Sequence, residues 1–392
     1  MLDLDRFKQV NDTLGHAAGD ALIRDFGSRI SDLVQPDATV ARLGGDEFVV
    51  LLPDVQSKQA VENICHKILS AAHRPFAVLG SEAFVGVSIG VVFSPESSTD
   101  RMELMRKADI ALYHAKAAGR DCFRAFAPGM DESIKFRRRI EEDLRRALAS
   151  GDELRVHYQP LVGAAGEPIV GVEALVRWQH PRRGLISPES FIPIAEETGL
   201  ISQLGEWILV EACSAAKRWP QLFVAVNLSP AQFRMPKFAE RVIEIVCEAG
   251  VDPGQIELEV TETVLLHDDE AITVALNKLR DAGFKIALDD FGTGYSSLSH
   301  LRKFEVDKIK IDRTFVQNLG TTDSTAIVTA VVNLAHAMGL QVSAEGVETK
   351  HQSTFLTAAG CNVMQGFLFS KAVPHDEMEA LLSIERDKKQ AA

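Results

Sequence analysis

From residue 155 onward the chain alternates short apolar runs with longer stretches of helical period. Eight runs (155–160, 169–177, 222–228, 255–260, 284–290, 306–312, 340–345 and 361–365) are mostly rich in β-branched residues, which predicts strands. The stretches 200–217, 237–249, 268–282 and 322–338 predict helices, and in the last Ile327, Val331, Leu334 and Ala335 mark the expected buried face. Eight strands with intervening helices over some 230 residues predict a (β/α)8 barrel. Only residues 161–168 join the first two runs. That is too short for a parallel crossover, so the pair is expected as a hairpin and the barrel as one with a single antiparallel strand. Upstream, the runs 39–43 and 48–52 flank a glycine-tipped turn and predict a second hairpin, and an acidic strand, LDLD (2–5), opens the chain. Residues 131–149 form a charged helical stretch with Ile134, Ile140, Leu144 and Leu148 near one side. Three readings of it stay open: a solvated face whose arginine run pairs i,i+4 with acids, a lever between domains, or the first outer element of the barrel.

Composition narrows the class. A net charge of −13 argues against binding a nucleic-acid polymer, which needs cationic surface. No run of 18 apolar residues and no signal-peptide pattern occurs in the sequence, so no membrane segment is predicted. Five scattered cysteines without a CxxC motif fit reduced thiols in a cytoplasmic protein, each expected as core filler. His16, His114, His157, His180 and His336 lack metal-ligand spacing, and the three tryptophans are expected in the outer layer of the barrel.

Chemistry concentrates where the predicted strands end. Glu173, Asn227, Glu259, Asp289 with Asp290, Lys310, Glu345 and Gln365 each follow or close an apolar run, and barrels carry their active sites at the C-terminal strand ends. Adjacent carboxylates repel unless a cation sits between them. An oxygen-dominated set without Cys or His favours Mg²⁺ or Mn²⁺ over zinc. Carboxylates clustered with one lysine point to metal-assisted cleavage of a phosphoryl ester.

At these residues the sequence resembles the EAL family of cyclic di-GMP phosphodiesterases. The resemblance spans roughly 135–385 and rests on YQP (158–160), EALVRW (173–178), NLSP (227–230), EVTET (259–263), DDFGTGYSSLS (289–299), KID (310–312), AEGVE (344–348) and QGFLFS (365–370), in family order. It implies hydrolysis of cyclic di-GMP to linear pGpG with two metals. Glu173, Asn227, Glu259 and Asp289 would hold the first; Asp289 and Asp290 bridge to the second, with Gln365 on that side. Lys310 and Glu345 would stand by the attacking water, Gln159 and Arg177 would face the substrate's base and phosphate, and Glu262 and Glu348 would lie behind them, Glu262 steadying loop 291–299. A homodimer through this domain is also implied. The competing class within the family binds the dinucleotide without cutting it.

The N-terminal segments LDLD (2–5), FKQVND (7–12), GHAAGD (15–20), GGDEF (44–48), VSIGVV (87–92) and YHAKAAGRD (113–121) resemble the GGDEF family of diguanylate cyclases, an α/β domain of the nucleotide-cyclase palm type. By that resemblance Asp3 and Asp46 or Glu47 bind metal, Asn11 and Asp20 read guanine, and Lys116 and Arg120 meet phosphates, with GTP and Mg²⁺ as the ligand. Two departures bear on activity. The chain starts inside the family's opening strand, so an impaired, N-terminally truncated domain is expected. Residues 35–38 read QPDA where the feedback site of the family has RxxD. A GTP-binding regulator is therefore expected rather than an active cyclase, with a bifunctional cyclase/phosphodiesterase as the alternative. The expected organisation is 1–126 GGDEF domain, 127–150 linker helix, 151–385 EAL domain and 386–392 disordered tail.

Overall fold

A computed structural model describes residues 1–164, 168–262, 264, 270–292 and 304–390. It divides into two compact units, Met1–Arg139 and Ile140–Ala392, each described by itself.

In the first unit β1 (Leu2–Asp5) is the middle strand of a sheet with β2 (Thr39–Gly44), β3 (Glu47–Leu51), β6 (Gly86–Val91) and β7 (Phe123–Ala125), in the order β2-β3-β1-β6-β7. A small hairpin of β4 (Phe76–Val78) and β5 (Ser81–Ala83) stands apart. Alternation along β1 sends Leu2 and Leu4 into the core and turns Asp3 and Asp5 to the opposite face. Helices α1 (Phe7–Leu14), α2 (His16–Leu33), α3 (Lys58–Ala72) and α4 (Arg101–Ala117) complete the unit. An apolar hollow of about 660 Å³, lined by Met1, Leu2, Leu51, Ile64 and Ile89 among others, opens beside the first residue.

Helix α5 (Gly129–Ser150) runs through the unit boundary. Its Ile140, Leu144 and Ala147 are fully buried in the barrel's hydrophobic shell, so its second half is the first outer element of the barrel, one of the three readings left open above.

The barrel strands are β8 (Leu154–Gly163), β9 (Ile169–His180), β11 (Phe223–Leu228), β12 (Ile256–Thr261), β13 (Lys285–Phe291), β14 (Lys308–Ile311), β15 (Gln341–Ala344) and β16 (Val363–Met364). The sheet runs β9-β11-β12-β13-β14-β15-β16-β8 and closes through β8 on β9, with a short β10 (Gly184–Ile186) outside β9. β8 is antiparallel to both neighbours, and the other neighbouring pairs of the closed barrel are parallel. Around it lie α6 (Pro188–Thr198), α7 (Ile201–Arg218), α8 (Phe238–Ala249), α9 (Glu270–Asp281), α10 (Arg313–Gln317), α11 (Thr322–Ala337), α12 (Lys350–Ala359) and α13 (His375–Gln390).

Three expectations need correction. The buried stripe of α11 is Val328, Val331, Val332 and Ala335, whereas Ile327 is 39% exposed; the packed face is rotated by about one position from the one predicted. α13 continues to Gln390, into the span expected to be disordered, because Glu, Lys, Arg and Gln all sustain a helix once packing has nucleated it; residues 391–392 lie outside the described ones. Cys65, Cys213 and Cys361 are buried, but Cys247 is exposed and fills no core. Trp178 and Trp219 are buried in the outer layer and Trp207 packs partly against it.

The barrel interior is small and partly ionic. Phe223 lies so close to Gly171 that a Cβ there would stand 2.6 Å from the ring, and the Lys308 ammonium sits 4.3 Å from the same ring's centre. Lys308 Nζ donates to both oxygens of Glu257 at 2.8 and 2.5 Å in a dry setting. Gly171→Ala is expected to lower stability by roughly 1–3 kcal/mol, the usual cost of overpacking a tight core, measured by urea unfolding. A change below 0.5 kcal/mol, on the order of an ordinary surface substitution, would mean that the ring yields freely.

Candidate active site

Alternation places every second residue of each barrel strand inside. On β12 these are Glu257 and Glu259, and on β14 Lys308 and Lys310. The lower pair, Glu257 with Lys308, forms the floor; the upper pair, Glu259 with Lys310, belongs to the mouth. Lys310 Nζ lies 2.7 Å from Glu259 Oε2, 2.6 Å from Glu345 Oε1 and 3.2 Å from Asp289 Oδ2. Lys310 and Glu259 are each 1% exposed. Despite these short distances Lys310 Nζ and both Glu259 oxygens have no hydrogen bond of proper geometry; the group is held by charge.

A second cluster adjoins it. Glu173 accepts from Asn227 Nδ2 at 2.7 Å and from Gln365 Nε2 at 2.6 Å. Gln365 Nε2 also donates to Gln159 Oε1 at 3.0 Å, and Gln159 Nε2 donates to the Ser370 carbonyl at 3.1 Å. Gln365 can enter this cluster because Gly366 precedes the turn: a Cβ at Gly366 would stand 2.1 Å from the Val347 carbonyl oxygen.

Burial and mutual repulsion set the charges. Burial pushes Glu259 well above the ordinary carboxyl range, and the neighbouring Glu173 and Asp289 charges add to this against Lys310. Burial alone would also raise Glu173, but Lys310 and the hydrogen bonds from Gln365 and Asn227 outweigh it and hold that carboxyl low. Glu345 is pushed up to about 8 by burial, with Asp289 and Glu173 contributing, although 22% of its side chain reaches solvent. Burial disfavours the Lys310 ammonium, yet the acids around it, Glu259 first, hold it charged.

The paired aspartates sit on a distortion. The β13–β14 register shifts between Leu288 and Phe291, and Asp290 takes a left-handed φ of 57°, costly for a residue with a Cβ. Bulges next to active sites re-aim side chains; here the bulge lets two successive acids both reach the mouth. Asp290 N donates to Asp289 Oδ1 at 2.9 Å. Burial, then the Asp289 charge, raises the Asp290 carboxyl. Glu262 Oε2 accepts from Gly292 N at 3.2 Å, tying β12 to the entrance of the loop after Asp290; residues 293–299 of that loop lie outside the described ones. Glu348 is exposed and accepts from Gln317 Nε2 at 3.2 Å, on the outer side of the strand end.

Thus Glu173, Asn227, Glu259, Asp289, Lys310, Glu345, Gln365 and Gln159 form one connected group. The sequence reading missed its ionic floor, Glu257 with Lys308, although the E-x-E and K-x-K spacing on alternate strand positions was there to find it. Among the described residues no three His, Cys, Asp or Glu side chains already surround a point at metal distance, because the acids close on Lys310. The donor set is nonetheless all oxygen, and the buried acceptors Glu259 Oε1 and Gln365 Oε1 receive no hydrogen bond. Orphaned buried acceptors beside a shared negative charge fit a hard divalent cation.

In the first unit Asp3 pairs with Lys116 Nζ at 2.6 Å, and burial raises its carboxyl against that partner. Arg120 lies 4.0 Å from Asp5 Oδ1, which also accepts from Ser88 Oγ at 2.9 Å. The β2–β3 turn carries Asp46 and Glu47 beside Gly45, whose φ is +52° and whose carbonyl accepts from Arg42 Nε and Nη2. Asn11 packs on Gly19, where a Cβ would meet its Oδ1 at 2.0 Å; Asp20 follows, exposed, on α2.

The chain thus joins a palm-type α/β unit with a glycine-tipped hairpin to a closed barrel with one reversed strand and an acid–amide–lysine cluster at its mouth. The chain belongs to the EAL domain family, whose model matches residues 141–372; a second model, diguanylate cyclase, GGDEF domain, matches residues 1–122. The bifunctional diguanylate cyclase/cyclic di-GMP phosphodiesterase MucR of Pseudomonas aeruginosa is 41% identical over 97% of this chain and 56% of its own length. The cyclic di-GMP phosphodiesterase PdeR of Escherichia coli is 40% identical over 95% and 57%. An uncharacterized signaling protein of Caulobacter vibrioides is 44% identical over 96% and 47%. The chain thus spans about half the length of the curated relatives it matches. Among solved structures, the PaMucR phosphodiesterase in complex with c-di-GMP superposes with a TM-score of 0.59 at 43% identity, covering 61% of this chain and 99% of that one. Among the described residues no helix is long and apolar enough to cross a membrane.

Proposed function

We propose that the barrel hydrolyses one phosphodiester bond of cyclic di-GMP, giving linear pGpG, with two Mg²⁺ or Mn²⁺ ions. The observation that carries this is the convergence of Glu173, Asn227, Glu259, Asp289 and Gln365 around buried, unsatisfied oxygens, with Lys310 and Glu345 beside them. Glu173, Asn227, Glu259 and Asp289 would hold one ion, with Asp289, Asp290 and Gln365 toward the other. Bound there, such ions acidify a water and screen the charge of the phosphodiester. Lys310, kept cationic by its acids, orients Glu345 and opposes negative charge gathering at the cluster. Arg177 offers a planar fork to a phosphate oxygen, and Gln159 fixes Gln365 from below while its strand faces the substrate. Glu262 holds the chain at Gly292, so it links the state of the following loop to β12.

The test is turnover of cyclic di-GMP by the full chain with Mg²⁺, resolved by chromatography. Linear pGpG is the expected product; tight binding without any cleavage would place the domain in the non-hydrolysing class. For the first unit we propose GTP–Mg²⁺ binding that tunes the barrel, with Lys116 and Arg120 toward the phosphates. The same assay run with GTP in a Glu173→Ala background would reveal cyclic di-GMP synthesis if the chain is bifunctional.

A further inference from the structure

Two glutamates on β12 face two lysines on β14 inside the barrel, and they are not paired along the rows of the sheet. Cα partners run in one row from Glu259 on β12 through Ala287 on β13 to Lys308 on β14. Ile286 and Leu288 lie in the outer shell, so alternation turns Ala287 inward, where its methyl group is too short to separate its neighbours. Strands two apart are roughly 10 Å from one another, a span that a lysine and a glutamate laid toward each other can bridge. Lys308 is therefore within reach of Glu259. It goes instead to the diagonal acid one step down, donating to both oxygens of Glu257 at 2.8 and 2.5 Å, with its ammonium 4.3 Å from the centre of the Phe223 ring. One step up, Lys310 takes Glu259 at 2.7 Å together with Asp289 and Glu345.

Stability does not account for the lower pair. Glu257 and Lys308 are both buried, and a buried ion pair is often no better than well-packed apolar side chains of similar volume. Apolar packing is at hand there, since Leu161, Ala225 and Val363 form a small interior cluster with Phe223 against it. What the pair changes is the set of charges above it. With the Glu257 carboxylate gone, the acid left within reach along the row of Lys308 is Glu259, and two ammonium groups would then crowd one carboxylate.

We propose that Glu257 is a positioning residue for the cation at the mouth: it holds Lys308 in the floor, so that a single lysine, Lys310, competes with a divalent ion for Glu259. This rests on the metal-bound site proposed above. Glu257 touches neither ion nor substrate and acts through Lys308.

The test uses the full chain and Mn²⁺, whose binding is read directly by electron paramagnetic resonance without substrate. Glu257→Gln frees Lys308 to turn to Glu259 and is expected to weaken Mn²⁺ by about tenfold to a hundredfold, the usual range for groups that orient metal ligands. Turnover of cyclic di-GMP should need correspondingly more Mn²⁺ yet approach the parent rate at saturation, a split that general loosening of the fold does not give. Combining Glu257→Gln with Lys308→Met removes the competing ammonium and should return the Mn²⁺ constant to the parent value. Glu257→Asp keeps the charge on a shorter arm and should lie between the parent and Glu257→Gln. A crystal structure of metal-free Glu257→Gln should place Lys308 Nζ within ion-pair distance of Glu259. An unchanged Mn²⁺ constant in Glu257→Gln (or, should that variant not fold, in Glu257→Asp) overturns the proposal, and so does a double variant as weak as the single one. If the parent binds no Mn²⁺, the metal-site reading fails, and the crystal structure alone decides: Lys308 still directed at position 257 overturns the hold assigned to Glu257.

Discussion

Lys310→Met is expected to cost the barrel about 3–5 kcal/mol of unfolding free energy at pH 8, the range for stripping one partner from a buried ionic group. Lys310 is the cation within ion-pair distance of Glu259, Asp289 and Glu345 at once, and with it gone these acids face one another. They can relieve this only by taking up protons. Glu259 and Glu345 already have raised pKa values in the folded state, and the variant raises them further. A carboxyl with a higher pKa folded than unfolded gains stability as pH falls, because the folded state binds the proton more tightly. The deficit against the parent should therefore shrink steadily from pH 8 to pH 5. Mg²⁺ should also stabilise the variant more steeply than the parent, by RT ln(1 + [L]/Kd), about 2.7 kcal/mol at a hundredfold excess over Kd. All three tryptophans, Trp178, Trp207 and Trp219, lie in the barrel unit, so urea titrations followed by their fluorescence isolate the right transition. A deficit that does not depend on pH would show that Lys310 contributes packing rather than charge.

The same ionic logic explains what the chain reveals before folding. The eight strands were legible because each is a short β-branched run between turn signals, and the reversed strand followed from the brevity of 161–168. The mouth was legible because a strand that ends in Glu, Asp, Asn or Gln must place that group at a rim. Side-chain pairing was not legible. Nothing in the sequence says that Gln159 is engaged by Gln365 and Ser370, since those contacts span some two hundred residues and depend on closure of the barrel. The rotation of the α11 stripe away from Ile327 reflects the same limit: a helix with apolar residues on several sides chooses its buried face by fitting neighbours, not by its own period. Asp290 is a different case. Its positive φ breaks a local rule, and such breaks gather where function outweighs propensity.

Glu173→Gln is expected to reduce cyclic di-GMP turnover by about a thousandfold or more, some 4 kcal/mol of barrier, while lowering the stability of the barrel by only roughly 1–3 kcal/mol. The substitution keeps the shape but removes one negative charge from a group in which Glu173, despite its burial, is held ionised by Lys310 and the amides of Gln365 and Asn227. Its new amide would also point a donor at Asn227 Nδ2 or Gln365 Nε2, which now donate to the two Glu173 oxygens at 2.7 and 2.6 Å, so at least one of those amides must turn. Hard cations are held by carboxylate oxygens, and a neutral amide here weakens that hold just where Asn227 and Gln365 are re-aimed. Stability should fall too, but by less: the fold holds the Glu173 carboxyl low through Lys310 and the two amides, so its charge is favourable in the folded state, while its removal relieves repulsion on Glu259, whose carboxyl Glu173 helps to raise. A loss of activity well beyond the loss of stability is the mark of a group kept for chemistry. Product assays with Mg²⁺, paired with fluorescence melts in EDTA, read both quantities on one preparation. Turnover within tenfold of the parent, or a variant already unfolded at the assay temperature, would show that Glu173 serves the fold of the mouth rather than the cleavage carried out there.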